Sequence, residues 1–436
     1  MTETRLTRRH FLCCGAAAVA GLFTSLDAGA GPFRATCAGA LPPELVRHEL
    51  IARTFDGLDA HALWDMHTHL LGTGDSGSGC TIHPAMNQWW RPAEVLRKHA
   101  ILGAVCVPAD APSVDRAYVE RLRTLAADFP AGARWLLFAF DRAHDDAGQS
   151  LPESTTFYVP DAYAEKISST TPERFCWVAS IHPYREDALV RLDAARAAGA
   201  VAVKWLPSAM NIDLTSPRCG PFYDRLAQSG MPLIVHCGEE KAVPGAGRHA
   251  FGNPLLVRVP LSRGVRVIVA HCATLGEADD LDQPRHPRRP AFELFARLMD
   301  EREHEGRLFG DISAVFQANR PESAWHELLA RQDWHPRLLH GSDYPLPGVG
   351  PLYRLGKLVR AGLLDAALVP TLQAVRGHNP LLFDLMLKRA LRERGQGFDA
   401  CVFATRAMFA PPESTPKREA SGDTARLAAG HLVPTR

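Results

Sequence analysis

The sequence predicts a parallel α/β fold of the barrel kind, and three observations point to it. Short apolar, β-branched runs recur along the chain and alternate with helix-like segments. Each run is apolar at consecutive positions, which fits strands covered on both faces. Many of the runs stop abruptly at a polar or charged residue. Strands of that kind belong to parallel sheets wrapped by helices.

Taken in order, strands are expected over 62–70, 102–107, 135–140, 175–181, 201–205, 233–235, 265–270, 308–312 and 338–340, with helices among them at 117–128, 186–198, 221–228 and 291–305. These nine candidates exceed by one the eight strands of a closed barrel. Either 102–107 or 135–140 is therefore expected to be an accessory strand outside it. The stretch 141–171, rich in Ser, Thr, Pro and Asp, reads as an inserted surface segment. The barrel is expected to fill 41–410, and the polar tail 411–436 to be disordered.

Residues 1–40 read as a leader. Arg8-Arg9-His10-Phe11-Leu12 precedes an apolar run of about thirteen residues ending at Phe23, short of the roughly 20 a permanent membrane helix needs. The paired arginines resemble a twin-arginine signal, which implies passage through the twin-arginine export machinery to the periplasm or beyond. Ala28-x-Ala30 and Ala38-x-Ala40 both fit a cleavage site, and the competing reading of the run is a buried N-terminal helix. No lipid-attachment box follows, so no stable membrane anchor is expected.

Composition narrows the function classes. With 46% hydrophobic residues, 22% charged residues and a formal charge of +1 over 436 residues, the chain has ample core and no basic field for nucleic acid. Ten cysteines without a Cys-x-x-Cys pair argue against a disulfide scaffold, a zinc ribbon or a thioredoxin-type centre.

The polar strand ends carry the chemistry. In Asp65-Met66-His67-Thr68-His69 the two histidines stand two apart, so a strand sends both imidazoles to one face, where they suit a divalent metal. Lys204 lies in a later run, His236 and His271 close two more, and Gly341-Ser342-Asp343-Tyr344 closes the last. In a parallel barrel all six residues converge at the C-terminal end of the strands.

This ordered set resembles the amidohydrolase superfamily, and its wording is similar to the amidohydrolase-related (amidohydrolase-2) branch. Asp65-Met66-His67-Thr68-His69, Val203-Lys204, Ala270-His271, His340-Gly341-Ser342-Asp343-Tyr344-Pro345 and His378-Asn379-Pro380 carry the likeness over roughly residues 60–390. The resemblance implies a distorted (β/α)8 barrel with one or two divalent ions, zinc being the expected one. His67, His69 and His236 would be ligands. Asp343 would touch the metal and shuttle a proton. His271 would bind a second ion, or orient the attacking water if there is none. Lys204 could ligate only as a carbamate bridging two ions, since an ammonium cannot bind a cation; the alternative is an unmodified lysine paired with Glu239 or Glu240.

Other features carry competing readings. Gly72-Thr73-Gly74-Asp75-Ser76-Gly77 fits a dinucleotide fingerprint, but no helix opens after it, and a flexible loop above the metal is the better expectation. Trp89 and Trp90 could line a lid or simply pack a helix. His182 and Arg185, closing the third barrel strand, could hold a substrate carboxylate or serve as structural support. The basic loop 284–290 is expected to be solvated, and Cys237 and Cys272 to be core residues. The sequence thus predicts an exported hydrolase that sends metal-activated water to an amide, ester or lactone carbonyl of a small molecule. The alternative on the same scaffold is a metal-dependent non-oxidative decarboxylase.

Overall fold

The computed structural model describes residues 37–108 and 110–410. All but the last four residues of the expected leader, and the whole of the expected tail, lie outside them. Eight short parallel strands form the barrel: β1 (Trp64–His69), β2 (Arg134–Phe138), β3 (Phe175–Val178), β4 (Val203–Trp205), β5 (Leu233–His236), β6 (Val267–Ala270), β7 (Leu308–Asp311) and β8 (Leu338–Leu339). β1, β2 and β3 pair in sequence, as do β4 through β8. The two arcs are joined by parallel bridges from Ala179 to Val203 and from Thr68 to Tyr344. The distorted (β/α)8 barrel is thereby closed.

Alternation along the strands sets its two cores. Trp64, Met66, Leu136, Phe138, Val178, Ala202, Ile234, Ile268 and Ala270 fill the barrel interior. Their neighbours, such as Trp135, Leu137, Trp177, Val203, Val235 and Val269, pack outward under the helices. The crossover helices follow the sequence signals. Ser113 caps Val114–Ala127, its side chain accepting from Arg116 N at 3.3 Å, and Tyr118, Leu122 and Leu125 make the buried stripe. Gly220–Ser229 ends at Gly230, whose φ of +66° only glycine adopts without cost. Ala291–Asp300 buries seven of its ten residues. Among the described residues no helix is long and apolar enough to cross a membrane.

Three expectations are corrected. Residues 102–107 form no strand: Leu102 and its neighbours end the helix Pro92–Ala104, and Cys106 turns the chain with φ +56° and is bonded to Cys37. Apolar residues at the end of a helix had the look of a short buried strand, a confusion that length alone resolves. The strand at 135–140 belongs to the barrel, as β2. Residues 141–171 are not only an insertion, because Asp161–Thr170 is the helix that crosses from β2 to β3. It presents Tyr163, Ala164 and Ile167 to the core.

The Gly72–Gly79 loop is wound around one carboxylate. Asp115 accepts from Thr73 N, Gly74 N, Ser76 N and the hydroxyls of Ser76 and Ser78, and Asp75 accepts in turn from Ser113 and Val114. The expected flexible loop is therefore tied down at both ends of its turn. The basic loop is a solvated hairpin, with Arg288–Pro290 pairing to Glu277–Asp279.

Candidate metal centre

The centre begins at β1. Its pairing with β2 shifts register between Asp65 and Thr68, a local irregularity at the level of His67. Asp65 accepts from His67 N at 3.1 Å and from Ser342 N at 2.8 Å, joining the first strand to the loop after the last. Burial raises the Asp65 carboxyl to about 6, with Ser342 opposing the shift. The last loop is held from the other side as well. Lys388 Nζ donates to the Gly341 carbonyl and to Asp384, each at 2.6 Å, inside the core. A side chain at Gly341 would put its Cβ 2.7 Å from that of His67, so the loop's approach to β1 requires glycine there.

The imidazoles are aimed by their far nitrogens. His67 Nδ1 lies 2.6 Å from Asp311 Oδ2, and His271 Nδ1 lies 2.9 Å from Ser313 Oγ and 3.0 Å from the Ser313 carbonyl. Ser313 Oγ also donates to Asp311 at 2.6 Å. With Nδ1 of each ring occupied, the Nε2 lone pairs face inward. His67 Nε2 and His69 Nε2 stand 3.5 and 3.0 Å from Asp343 Oδ1, and His271 Nε2 stands 3.9 Å from Asp343 Oδ2. His67 Nε2 is buried without a hydrogen-bond partner.

These spacings fit a shared ion. Nitrogen and oxygen ligands about 2.0–2.2 Å from one tetrahedral ion lie about 3.3–3.5 Å from each other. A second grouping, His67, His271 and Asp311, also brings ligand atoms together. It uses nitrogens already engaged by Asp311 and Ser313, so the site is better placed on His67, His69 and Asp343 with His271 adjoining. Burial pulls His67 and His271 well below the usual histidine range, and neighbouring Lys204 and His67 respectively add to the effect. Both rings are therefore neutral, the form that binds metal. His271 and Asp343 have φ of +55° and +58°. Left-handed backbone at a non-glycine residue costs about 1–3 kcal/mol and persists where the surroundings demand it.

His236 and Lys204 border this group. The His236 ring lies 5.2 Å from that of His271, and its Nε2 faces Glu240 Oε2 at 3.3 Å. Lys204 is buried 5.4 Å over the Phe138 ring, its Nζ without a hydrogen-bond partner. Burial pushes its ammonium down to about 8, against the pull of Asp311, Asp343 and Glu240. Among the described residues it forms no ion pair, so the expected alternative pairing with Glu239 or Glu240 is not realised.

For His182 and Arg185 the structure favours the alternative of structural support. His182 has both ring nitrogens committed, Nε2 to the Met210 carbonyl at 2.9 Å and Nδ1 accepting from Tyr184 N at 3.2 Å, and it is fully buried. Arg185 is bound to Asp187 through two nitrogens at 2.8 and 3.0 Å. Both hold the loop after β3 together. Trp89 is 83% exposed and meets Trp90 edge-on on the surface. Cys237 and Cys272 are buried core residues as expected, the Cys272 thiol donating to the Asp311 carbonyl at 3.3 Å.

Asp311 and Ser313 are not among the residues expected from the sequence to serve the site. They close β7 as Gly310-Asp311-Ile312-Ser313, the same polar closure that marked the other strands. Asp311 falls inside the expected strand 308–312 and Ser313 just beyond it, because Ile312 carries the apolar run past the carboxylate.

The sequence profile of a family described as amidohydrolase matches residues 64–381. No curated protein matches the chain. Solved structures similar to it include an uncharacterised TIM-barrel protein from Bordetella bronchiseptica, 16% identical, covering 65% of this chain and 86% of that one with a TM-score of 0.42. A proposed 2-pyrone-4,6-dicarboxylic acid hydrolase from Pseudomonas putida is 15% identical, covering 80% and 97% with a TM-score of 0.40. The 5-carboxyvanillate decarboxylase of Sphingomonas paucimobilis is 12% identical, covering 72% and 96% with a TM-score of 0.39.

Proposed function

The chain belongs to the amidohydrolase family, and on that premise we propose that this enzyme is a metal-dependent hydrolase acting on the amide, ester or lactone carbonyl of a small molecule. One observation carries the reading: three Nε2 atoms converge on the two oxygens of Asp343 while Asp311 and Ser313 hold two of the same rings by their other nitrogens. When bound, a divalent ion supplies Lewis acidity and a water of lowered pKa. His67, His69 and Asp343 would hold it, with His271 and His236 beside it.

The residues divide the remaining work. Asp343 has two oxygens at the centre, so one can face the ion while the other accepts a proton from the attacking water and returns it to the leaving group. His271, anchored on Ser313, would orient that water in a one-ion site or hold a second ion. Lys204, buried and without a hydrogen-bond partner, would be a ligand only as a carbamate, and its lowered pKa favours the neutral amine that carbamate formation needs. We read zinc as the ion, because neutral imidazoles with one carboxylate suit it. Export is supported by the Arg8-Arg9 leader and by the Cys37–Cys106 disulfide, which an oxidising compartment maintains.

Reaction in oxygen-18 water tests the reaction class. Hydrolysis puts the label in the product acid. Release of carbon dioxide with no label gained would replace this reading with the decarboxylase.

A further inference from the structure

A cavity of about 470 Å³ lies at the end of the barrel opposite the candidate metal centre. Trp64 and Arg134, the first residues of β1 and β2, line it together with Cys176 of β3 and Val201 just before β4. Arg406 and Phe409 of the short helix Arg406–Phe409 complete the wall. Within β1, His69 stands five residues beyond Trp64, or about 16 Å at the rise of a strand. The cavity is therefore separate from the group formed by His67, His69 and Asp343.

The lining carries charge of one sign. Arg134 and Arg406 supply two guanidinium groups, and no Asp or Glu lines the space. Among the described residues neither forms an ion pair; Arg134 makes only a long contact from Nη1 to Cys176 Sγ at 3.7 Å and lies 5.3 Å over the Trp64 ring. Arg174 and Arg266, which precede β3 and β6, are instead committed to main-chain carbonyls, of Phe129 and Pro130 and of Gly230 and Met408. The Trp64 indole is the second sign. It is 6% exposed, and its Nε1–H is buried without an acceptor among the described residues. The indoles of Trp177, Trp205, Trp325 and Trp334 each donate to an oxygen at 2.7–3.3 Å. A buried donor left unpaired is costly, so an acceptor brought by a ligand is favoured at Trp64.

We propose that this basal cavity binds an organic carboxylate with an apolar body, a ligand distinct from the molecule turned over at the other end of the barrel. The carboxylate accepts from the guanidinium groups of Arg134 and Arg406 and from the Trp64 indole, while the apolar body packs on Trp64, Val201 and Phe409. The volume is that of a small-molecule pocket, and apolar walls with a few convergent polar groups are the usual make-up of one. A guanidinium fork matches the two oxygens of a carboxylate. Two arginines without an acid disfavour a cation, and the apolar walls disfavour a bare inorganic anion, which holds its water.

The test titrates the full-length protein with benzoate and with hexanoate, each against its amide, and with inorganic phosphate, by calorimetry. Protein is used as purified and after chelator treatment, which separates this cavity from carboxylate held by a metal ion. At least one carboxylate is expected to bind chelator-treated protein better than its amide does. Arg406→Met, a change at an exposed position, should weaken that binding about 10-fold, and Arg134→Met combined with it about 100-fold, the scale of hydrogen bonds to a charged group. Arg406→Lys should fall between wild type and Arg406→Met. Trp64→Phe, which keeps an apolar ring and removes the N–H, should weaken the carboxylate more than the amide. Binding that vanishes on chelation, unchanged affinity in the doubly substituted protein, or phosphate bound as tightly as the better carboxylate would each overturn the proposal. So would the absence of any preference for a carboxylate over its amide. Binding absent from the wild type but present in Glu413→Gln would assign the cavity to the chain's own tail, since Glu413 is the first carboxylate after Ala410, which lines the cavity, and would overturn the proposal as well.

Discussion

Replacing Asp311 with Asn isolates the contribution of a carboxylate that faces the far nitrogen of His67. Asp311 Oδ2 lies 2.6 Å from His67 Nδ1, and its Oδ1 accepts from Ser313 N at 2.7 Å. An asparagine of the same shape keeps its oxygen on Ser313 N and turns its NH2 toward His67. That NH2 can only donate, so His67 Nδ1 must accept and the ring proton moves to Nε2. The nitrogen that faces Asp343 then has no lone pair for an ion unless the amide flips and breaks the Ser313 contact. Loss of such a partner typically lowers metal affinity 10–100-fold, or about 1.4–2.7 kcal/mol. Competition against a chelator of known affinity reads this directly, with circular dichroism confirming the fold. An Asp311→Asn protein that binds metal as tightly as the wild type would refute the claim that Asp311 sets the tautomer of His67.

Asp343→Asn should keep most of its metal, since the amide oxygen remains a weak ligand, while turnover falls on the order of 100-fold or more; retained turnover would remove Asp343 as the proton carrier. Lys204→Ala tests the carbamate: a bridging role predicts a fall from two ions toward one, partly restored by added acetate, whereas an unchanged content of one ion assigns a one-ion site. His182, held by burial at about 3, must gain a proton when the chain unfolds in mild acid. Because the folded pKa lies below the ordinary value near 6.5, stability is full above that value and is lost as pH falls from about 6.5 toward 3, at up to about 1.4 kcal/mol per pH unit. Urea titrations of His182→Asn should show a stability that depends less on pH by about one proton over that range; an unaltered slope would contradict the buried neutral assignment.

Much of the fold was legible because burial on both faces writes strands as continuous apolar runs. β3, β5, β6 and β7 fall within a few residues of their expected bounds for that reason. The run at 102–107 misled because the last turn of a helix packed on a core is also continuously apolar. His67, His69, Lys204, His236, His271 and Asp343 were legible because each ends or occupies such a run, and topology alone gathers strand ends. What the sequence could not show is orientation. His182 ends a strand in the same manner as His271, yet its ring is consumed by Met210 and Tyr184, and only the path of the chain at 210 decides this. Arg406 carries no local signal at all: nothing in Ala404-Thr405-Arg406-Ala407 distinguishes a solvated arginine from one that lines a cavity with Trp64 and Arg134.

We propose that His67, His69 and Asp343, with His271 beside them, form a divalent-metal centre. Elemental analysis of purified, catalytically active enzyme tests it most directly. At least one equivalent of a divalent metal is expected, lost together with activity in His67→Ala. Full activity in protein containing no divalent metal would contradict it.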